Sequence, residues 1–134
     1  MRAVSSPNAD LSRLVAAAAD LCRKPLRHAV VPSQPGDPVA EEEVLEDLCL
    51  RIEARSCEGE RLPEEDLELE LYRSGEDLHL TLAWLEDDLR PMLWQGGHPV
   101  WMDPATGSRC ERPADGVPLE ALARRLRALL VGLA

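Results

Sequence analysis

The chain has 134 residues, with 25 acidic against 15 basic side chains and a formal net charge of −10 at pH 7. This length suffices for one domain with a buried core, and we predict a single domain over residues 1–134. So acidic a chain disfavours binding to nucleic acid or to an anionic membrane surface, because both require basic groups. There is no long apolar run and no apolar N-terminal leader, so we expect no membrane span and a cytoplasmic location.

The N-terminal third predicts a helix followed by a linker. Apolar residues recur at helical spacing from Leu11 to Cys22, which is typical of an amphipathic helix. We assign residues 1–30 to this N-terminal helix, which Pro25 ends or kinks. Residues 31–37 are rich in proline and glycine and predict a linker.

Residues 38–112 predict a short acidic helix and then an antiparallel sheet. Acids in its first turn favour the short helix, because they complement the helix dipole. From residue 48 the apolar period changes to two, which is typical of strands with one apolar face. The predicted strands lie in three alternating segments and three shorter ones: 48–55, 67–72, 78–84, 92–95, 99–102 and 108–112.

The C-terminal segment 117–133 is the most regular amphipathic helix of the sequence. Its leucines, including Leu126, fall within one arc, and Glu120, Arg124 and Arg127 lie opposite, as expected for a helix packed on a core. We therefore predict an α+β fold: an antiparallel sheet of four to six strands, with the N- and C-terminal amphipathic helices packed on one face.

The sequence carries no motif for catalysis or for a cofactor. Nucleophile-elbow, phosphate-loop and dinucleotide-binding patterns are all missing. The four cysteines form no closely spaced pair, and His28, His79 and His98 are far apart along the chain, so we predict no metal site. We expect no cofactor and no catalytic residue, and hence a protein that is not an enzyme.

One patch near the end of the sheet is unusually rich in large side chains. All three tryptophans and two of the three methionines lie between residues 84 and 102. Such residues are enriched at protein interfaces, and they also serve to close the end of a leucine core. The candidate partner-binding residues are Trp84, Met92, Trp94, His98, Trp101 and Met102.

Residues 41–88 hold 18 acidic and 4 basic side chains. This excess is typical of a solvated surface that keeps a protein soluble, and it also suits electrostatic steering of a basic partner. The candidate steering residues form two loop triplets: Glu64, Glu65 and Asp66, and Glu86, Asp87 and Asp88.

Together these features favour a small acidic, non-catalytic protein-binding module that acts as an assembly factor, chaperone or adaptor. In size, acidity and layout the chain resembles the small acidic secretion chaperones, which also set an antiparallel sheet against helices. The expected partner is another protein, with a basic surface if the acidic segment guides it, and the expected oligomeric state is a monomer or homodimer. The alternative is a small-molecule-binding or catalytic domain with a pocket near the tryptophans and His98.

Overall fold

The computed structural model describes residues 7–32, 48–74, 77–87, 89–96 and 98–131. Two α-helices flank seven strands, and one turn of 3-10 helix, Pro63–Glu65, precedes the third strand. The elements in chain order are α1 Pro7–Cys22, β1 Arg27–Pro32, β2 Leu48–Arg55, β3 Leu67–Ser74, β4 Asp77–Trp84, β5 Met92–Gln95, β6 Pro99–Met102, β7 Arg109–Cys110 and α2 Val117–Val131.

The strands form a single antiparallel meander. Each strand pairs with the next along the chain, so the spatial order is β1 to β7 without a crossover. The α+β class and the antiparallel sheet are confirmed, but the strand count of seven exceeds the predicted four to six. All six segments predicted as strands contain one.

The additional strand is β1, which corrects two predicted boundaries. The sequence predicts residues 27–30 as the end of the N-terminal helix and residues 31 and 32 as the start of the linker. In the structure all six residues pair with β2, in register from Arg27↔Arg55 to Pro32↔Leu50. The helix ends at Cys22, a turn follows in which the Leu26 amide donates to the Arg23 carbonyl, and the β-branched pair Val30 and Val31 then suits an extended chain. The rest of the linker and the short acidic helix lie outside the described residues.

The sheet has two different faces. On the core face, the side chains from the alternate positions that include Leu50, Leu69, Leu80 and Leu93 are almost fully buried. On the outer face, the intervening positions carry mostly half-buried or exposed side chains. Register keeps the two sets apart, because neighbouring strands place directly opposite residues on the same face.

Both helices contribute to the same core cluster as the core face. From α1 come Leu11, Val15, Ala18 and Ala19, and from α2 come Leu119, Leu122, Ala123, Leu126 and Leu130. The helix α1 contacts β1 and α2, and α2 also contacts β4, β5 and β6. Neither helix of the described chain combines the length and the apolar character needed to cross a bilayer.

The turn between β6 and β7 is built around Asp103 and Gly107. The Asp103 carboxylate accepts a hydrogen bond from the Ala105 amide at 2.8 Å, and the Gly107 amide donates to the Asp103 carbonyl at 2.7 Å. Gly107 has a φ of 73°, a conformation that glycine adopts without steric cost. Gly75, between β3 and β4 in the sequence, lies outside the described residues.

Candidate functional site

The structure divides the three tryptophans between the two faces of the sheet. Trp84 and Trp101 lie on the core face, each 4% exposed, with their rings stacked at 6.3 Å between centroids. Trp94 lies on the outer face, opposite Thr81 and Val100. The six predicted partner-binding residues therefore do not form one continuous patch.

Trp101 is held by the start of α2. Its indole N–H donates to the Glu120 carboxylate at 2.6 Å, and Arg112 binds the other oxygen of the same carboxylate at 3.2 Å. Gly116 lets the chain approach the ring, because a Cβ at this position would lie 2.8 Å from Trp101 Cζ2. The surroundings of Trp101 therefore support the interpretation that this side chain closes the end of the core.

Trp84 has different neighbours at the same end of the core. The Arg90 guanidinium lies over its ring, 3.5 Å from the centroid, and forms an ion pair with Asp115. The Trp84 indole N–H is buried and has no hydrogen-bond partner among the residues that the structure describes. Buried indole N–H groups normally find an acceptor.

An aromatic platform occupies the outer face, formed by Tyr72, His79 and Trp94 on β3, β4 and β5. The rings of His79 and Trp94 stack at 5.2 Å with an interplanar angle of 20°, and Tyr72 lies 5.4 Å from His79. The Trp94 indole N–H donates to the Tyr72 hydroxyl at 2.7 Å. Gly96 makes this arrangement fit, because a Cβ there would lie 2.6 Å from Trp94 Cη2.

Carboxylates lie on the outer face of β3 and β4, the strands that carry Tyr72 and His79. Glu70 pairs in register with Thr81, which in turn pairs with Trp94. Glu68 lies one position along the same face of β3, and Asp77 lies two residues before His79 on β4. On β3 to β6, the described side chains of the outer face include these three carboxylates and no arginine or lysine.

The remaining residues of the predicted partner-binding set lie at the margins. Met92 and Met102 pair in register on the outer face and are half-buried. His98 is exposed just before β6, and its side chain does not line the cleft described below. The outer face thus keeps Trp94 and the two methionines from the predicted set.

The acidic triplets are less uniform than expected. Glu64, Glu86 and Asp87 are exposed, as steering residues require, and Asp88 lies outside the described residues. The Glu65 carboxylate forms an ion pair with Arg23 at 2.9 Å. The prediction that Asp66 is a steering residue is wrong. Asp66 is 2% exposed, and its carboxylate binds groups within the protein instead of lying in solvent.

Asp66 ties the β2–β3 connection together. Its carboxylate accepts a hydrogen bond from the Ala54 amide at 2.8 Å and binds Arg61 at 3.0 and 2.9 Å. Burial raises the pKa of this carboxyl, but the Arg61 and Ala54 hydrogen bonds outweigh burial and leave the pKa below its ordinary value. Asp66 therefore stays ionised in the folded protein at neutral pH.

A second polar network, which the sequence did not predict, links α1, β1 and the 3-10 turn. The buried His28 ring contacts Asp20 at 2.9 Å through Nδ1 and Arg23 at 3.2 Å through Nε2. Arg23, itself 6% exposed, also donates to the Glu65 backbone carbonyl at 3.0 Å. Burial lowers the pKa of His28, and the positive charge of Arg23 acts in the same direction, against the Asp20 hydrogen bond.

The described residues offer no metal centre. No three His, Cys, Asp or Glu side chains among them come together in a way that would hold a metal ion. The four cysteines are free thiols, two of them exposed and two half-buried. Cys49 lies on the outer face beside Glu68, with 3.5 Å between sulfur and carboxylate oxygen.

A cleft of about 270 Å³ opens beside Trp84. It lies where the turn after α1, the 3-10 turn and the start of α2 meet, and Arg23, Leu26 and Leu119 contribute to its walls. Of the predicted tryptophan patch, this cleft adjoins Trp84 and not His98.

Comparison with protein families shows to which family the chain belongs. Residues 12–129 match the family model described as "Domain of unknown function (DUF8659)". The chain belongs to this family. No curated protein and no solved structure matches the chain. The matched segment runs from α1 to near the end of α2, so it contains the described sheet with both of its faces.

Proposed function

We propose that this member of the DUF8659 family is a non-catalytic protein-binding module that docks a basic segment of a partner protein on its outer face. The observation that carries the proposal is the aromatic platform with the carboxylates on the same face. Tryptophan and tyrosine rings attract arginine and lysine side chains through cation–π contacts. Nearby carboxylates add charge complementarity, which guides association and rejects acidic partners.

The arrangement of the core supports the outer face as the docking surface. The proposal takes both helices to cover the core face, with which they share one cluster of buried side chains. The outer face then presents Trp94, Met92 and Met102 with neither α1 nor α2 above them. Tryptophan contributes more binding energy at interfaces than most residue types, so Trp94 is the expected anchor. The cytoplasmic adaptor, assembly-factor or chaperone role predicted from the sequence belongs to this proposal.

Affinity capture with matched variants tests the proposal. The full chain is immobilised and incubated with lysate, and bound proteins are identified by mass spectrometry. We expect captured proteins to carry exposed basic segments. We expect Trp94→Ala, and separately Glu68→Gln with Glu70→Gln, to lose them. The control is Glu86→Gln with Asp87→Asn, which removes the same charge from an exposed loop and should retain most of the capture.

A direct binding measurement completes the test. A synthetic peptide of the captured basic segment is titrated into each variant, with a peptide in which its basic residues are replaced by glutamine as the comparison. We expect Trp94→Ala to weaken binding by about 2 kcal/mol or more, as for an interface anchor. Equal affinity of wild type and Trp94→Ala, or of the basic and neutral peptides, would contradict docking on this face.

The alternative from the sequence, a small-molecule site, has one observation in its favour. The cleft beside Trp84 is lined by apolar side chains and contains polar groups that do not all have partners. Ligand sites commonly have this composition. This cleft is separate from the outer face.

A further inference from the structure

The cleft beside Trp84 combines an apolar wall with charged groups of both signs. Leu26, Trp84 and Leu119 supply apolar surface, and Arg23 and Lys24 lie on the same wall. The volume of about 270 Å³ suits a small organic molecule or a single side chain. Lys24 is the only lysine of the sequence and is exposed.

The two carboxylates of the cleft are already paired within the protein. Glu65 binds the guanidinium of Arg23 at 2.9 Å, and Asp115 forms an ion pair with Arg90. Lys24, in contrast, makes no hydrogen bond or ion pair with the side chains that the structure describes. The two internal ion pairs therefore neutralise both carboxylates of the cleft. The Lys24 ammonium has no counter-ion among the described residues.

Trp84 supplies an independent sign of a missing acceptor. Trp84 and Trp101 are stacked and equally buried, yet only the Trp101 N–H has an acceptor within the described chain, the Glu120 carboxylate. A buried donor without a partner is costly, and native proteins rarely leave one. The acceptor for Trp84 is therefore expected from outside the described chain, and Trp84 lines the cleft.

We infer that the cleft binds the carboxylate of an organic acid, with the apolar part of that acid against Leu26 and Leu119. The carboxylate accepts a hydrogen bond from the Trp84 indole N–H and faces the Lys24 ammonium. The helix α2 begins at Val117 beside the cleft, and the positive end of its dipole favours an anion there. This inference does not rest on the outer-face proposal, because it uses a different face and the opposite charge.

Access to the indole N–H requires one local movement. The N–H is out of contact with solvent, and the Arg90 guanidinium covers the face of the Trp84 ring. The Arg90 side chain is 27% exposed and its partner Asp115 is 56% exposed, so solvent can replace this ion pair at little cost. Because the N–H lies in the ring plane and Arg90 lies over the ring face, the inference requires that the Arg90 side chain and the Trp84 ring shift together when the acid enters.

Titration followed by NMR on the full, ¹⁵N-labelled chain tests the inference. The three indole N–H signals are assigned with Trp94→Phe and Trp101→Phe, which identifies the Trp84 signal by elimination, and the titration itself uses the wild-type chain. The probe is sodium hexanoate, and hexanamide is the neutral molecule of the same shape. We expect a saturable shift of the Trp84 signal with hexanoate and at least about tenfold weaker binding of hexanamide.

Variants and peptides sharpen the result. Lys24→Gln should weaken hexanoate binding about two- to fivefold, as expected for an exposed charge pair, whereas Arg124→Gln, an exposed cation on α2, should leave it unchanged. Acetylated tetrapeptides that end in leucine, as the free acid and as the amide, distinguish a protein C-terminus from a free small acid as the source of the carboxylate. Tighter binding of the free-acid peptide than of hexanoate would identify the C-terminus; the reverse would identify a small acid.

Three results would overturn the inference. These are a Trp84 shift that does not saturate, a response to hexanamide equal to that of hexanoate, and binding that Lys24→Gln and Arg124→Gln weaken equally. The first would leave bound water as the acceptor for the indole N–H. None of the three bears on the outer face, because the Trp94 signal reports that surface separately.

Discussion

Trp84 and Trp94 lie on adjacent strands but serve opposite faces of the sheet. Trp84 is the last residue of β4 and continues the buried row of leucines, with Arg90 and Trp101 against its ring. Trp94 occupies one of the outer-face positions on β5 and lies against Gly96. Its indole N–H donates to the Tyr72 hydroxyl. The position along the strand, more than the residue type, decides whether a tryptophan closes the core or presents a surface.

The largest expected effect comes from the core side of this comparison. Leu126 lies mid-way along α2 and is fully buried. Leu126→Ala should lower the free energy of unfolding by about 2–5 kcal/mol, because it leaves a cavity that the core cannot fully close. Urea unfolding measures this. Leu89→Ala, at a leucine that is 82% exposed, is the control and should cost less than about 0.5 kcal/mol.

Much of this core could be predicted from the sequence, because leucine alternation marks strands directly. The periods of two over residues 48–55 and 78–84 predicted β2 and β4, and the leucine arc around Leu126 predicted α2. The strand β1 could not be predicted in this way. Its residues, from Arg27 to Pro32, do not alternate, and it becomes a strand because β2 offers an edge to pair with.

The second prediction concerns a buried charged residue, Asp66, whereas the first concerned a buried leucine. Asp66→Ala should cost about 1–3 kcal/mol, because the buried Ala54 amide loses its acceptor. Glu64→Ala, two residues earlier and exposed, is the matched control and should change stability by less than about 0.5 kcal/mol. Equal effects of the two would place Asp66 among the solvated acids. Thermal unfolding at pH 7 measures both variants.

The pKa of Asp66 also gives this comparison a pH dependence. Because its folded pKa lies below the ordinary value, the unfolded chain binds the proton more readily in acid. The contribution of Asp66 is complete above the unfolded pKa of about 3.9 and is lost as the pH falls through the lower folded value. Wild type should therefore lose stability more steeply below pH 4 than Asp66→Ala.

The third prediction tests the outer face alone. Gly96→Ala would place a Cβ 2.6 Å from Trp94 Cη2 and 3.0 Å from His79 Nδ1. The Trp94 ring must then move and lose its bond to Tyr72, at a cost of about 1–3 kcal/mol. In a Trp94→Ala background the same change should cost little, since the two effects are coupled through contact. Additive effects in this double-mutant cycle would mean that Gly96 is needed for another reason.

The outer-face site could be predicted only in part. The sequence identified Trp94, Met92 and Met102 as surface candidates, but it grouped them with Trp84 and Trp101. Four-residue strands such as β5 are too short for alternation to reveal which face a tryptophan takes. Tyr72 and His79 were missed because their partner, Trp94, lies on another strand, and only the register brings the three together.

The fourth prediction concerns His28, on the core side at the edge of the sheet. Burial keeps its folded pKa below the ordinary value of about 6.5, so the unfolded chain binds a proton that the folded chain does not. Stability should fall as the pH drops from about 7 to 5, by at most about 1.4 kcal/mol per pH unit from this group. Unfolding series should show a smaller slope for His28→Gln, whereas the exposed control His98→Gln should match wild type.

The smallest expected effect on stability belongs to the exposed acids of the loops. Replacing Glu64 and Glu86 by glutamine and Asp87 by asparagine should change the free energy of unfolding by less than about 0.5 kcal/mol, because solvated charges contribute little.

If a basic partner docks on the outer face, these substitutions should slow its association and reduce the salt dependence of that rate, while dissociation stays unchanged. Neutralising Glu68 and Glu70 should instead speed dissociation, because in the proposed complex these carboxylates contact the partner. Stopped-flow binding at two ionic strengths separates the two behaviours. An association rate that ignores both salt and the loop charges would leave the loop acids a role in solubility alone, and the outer face would then act only through direct contact.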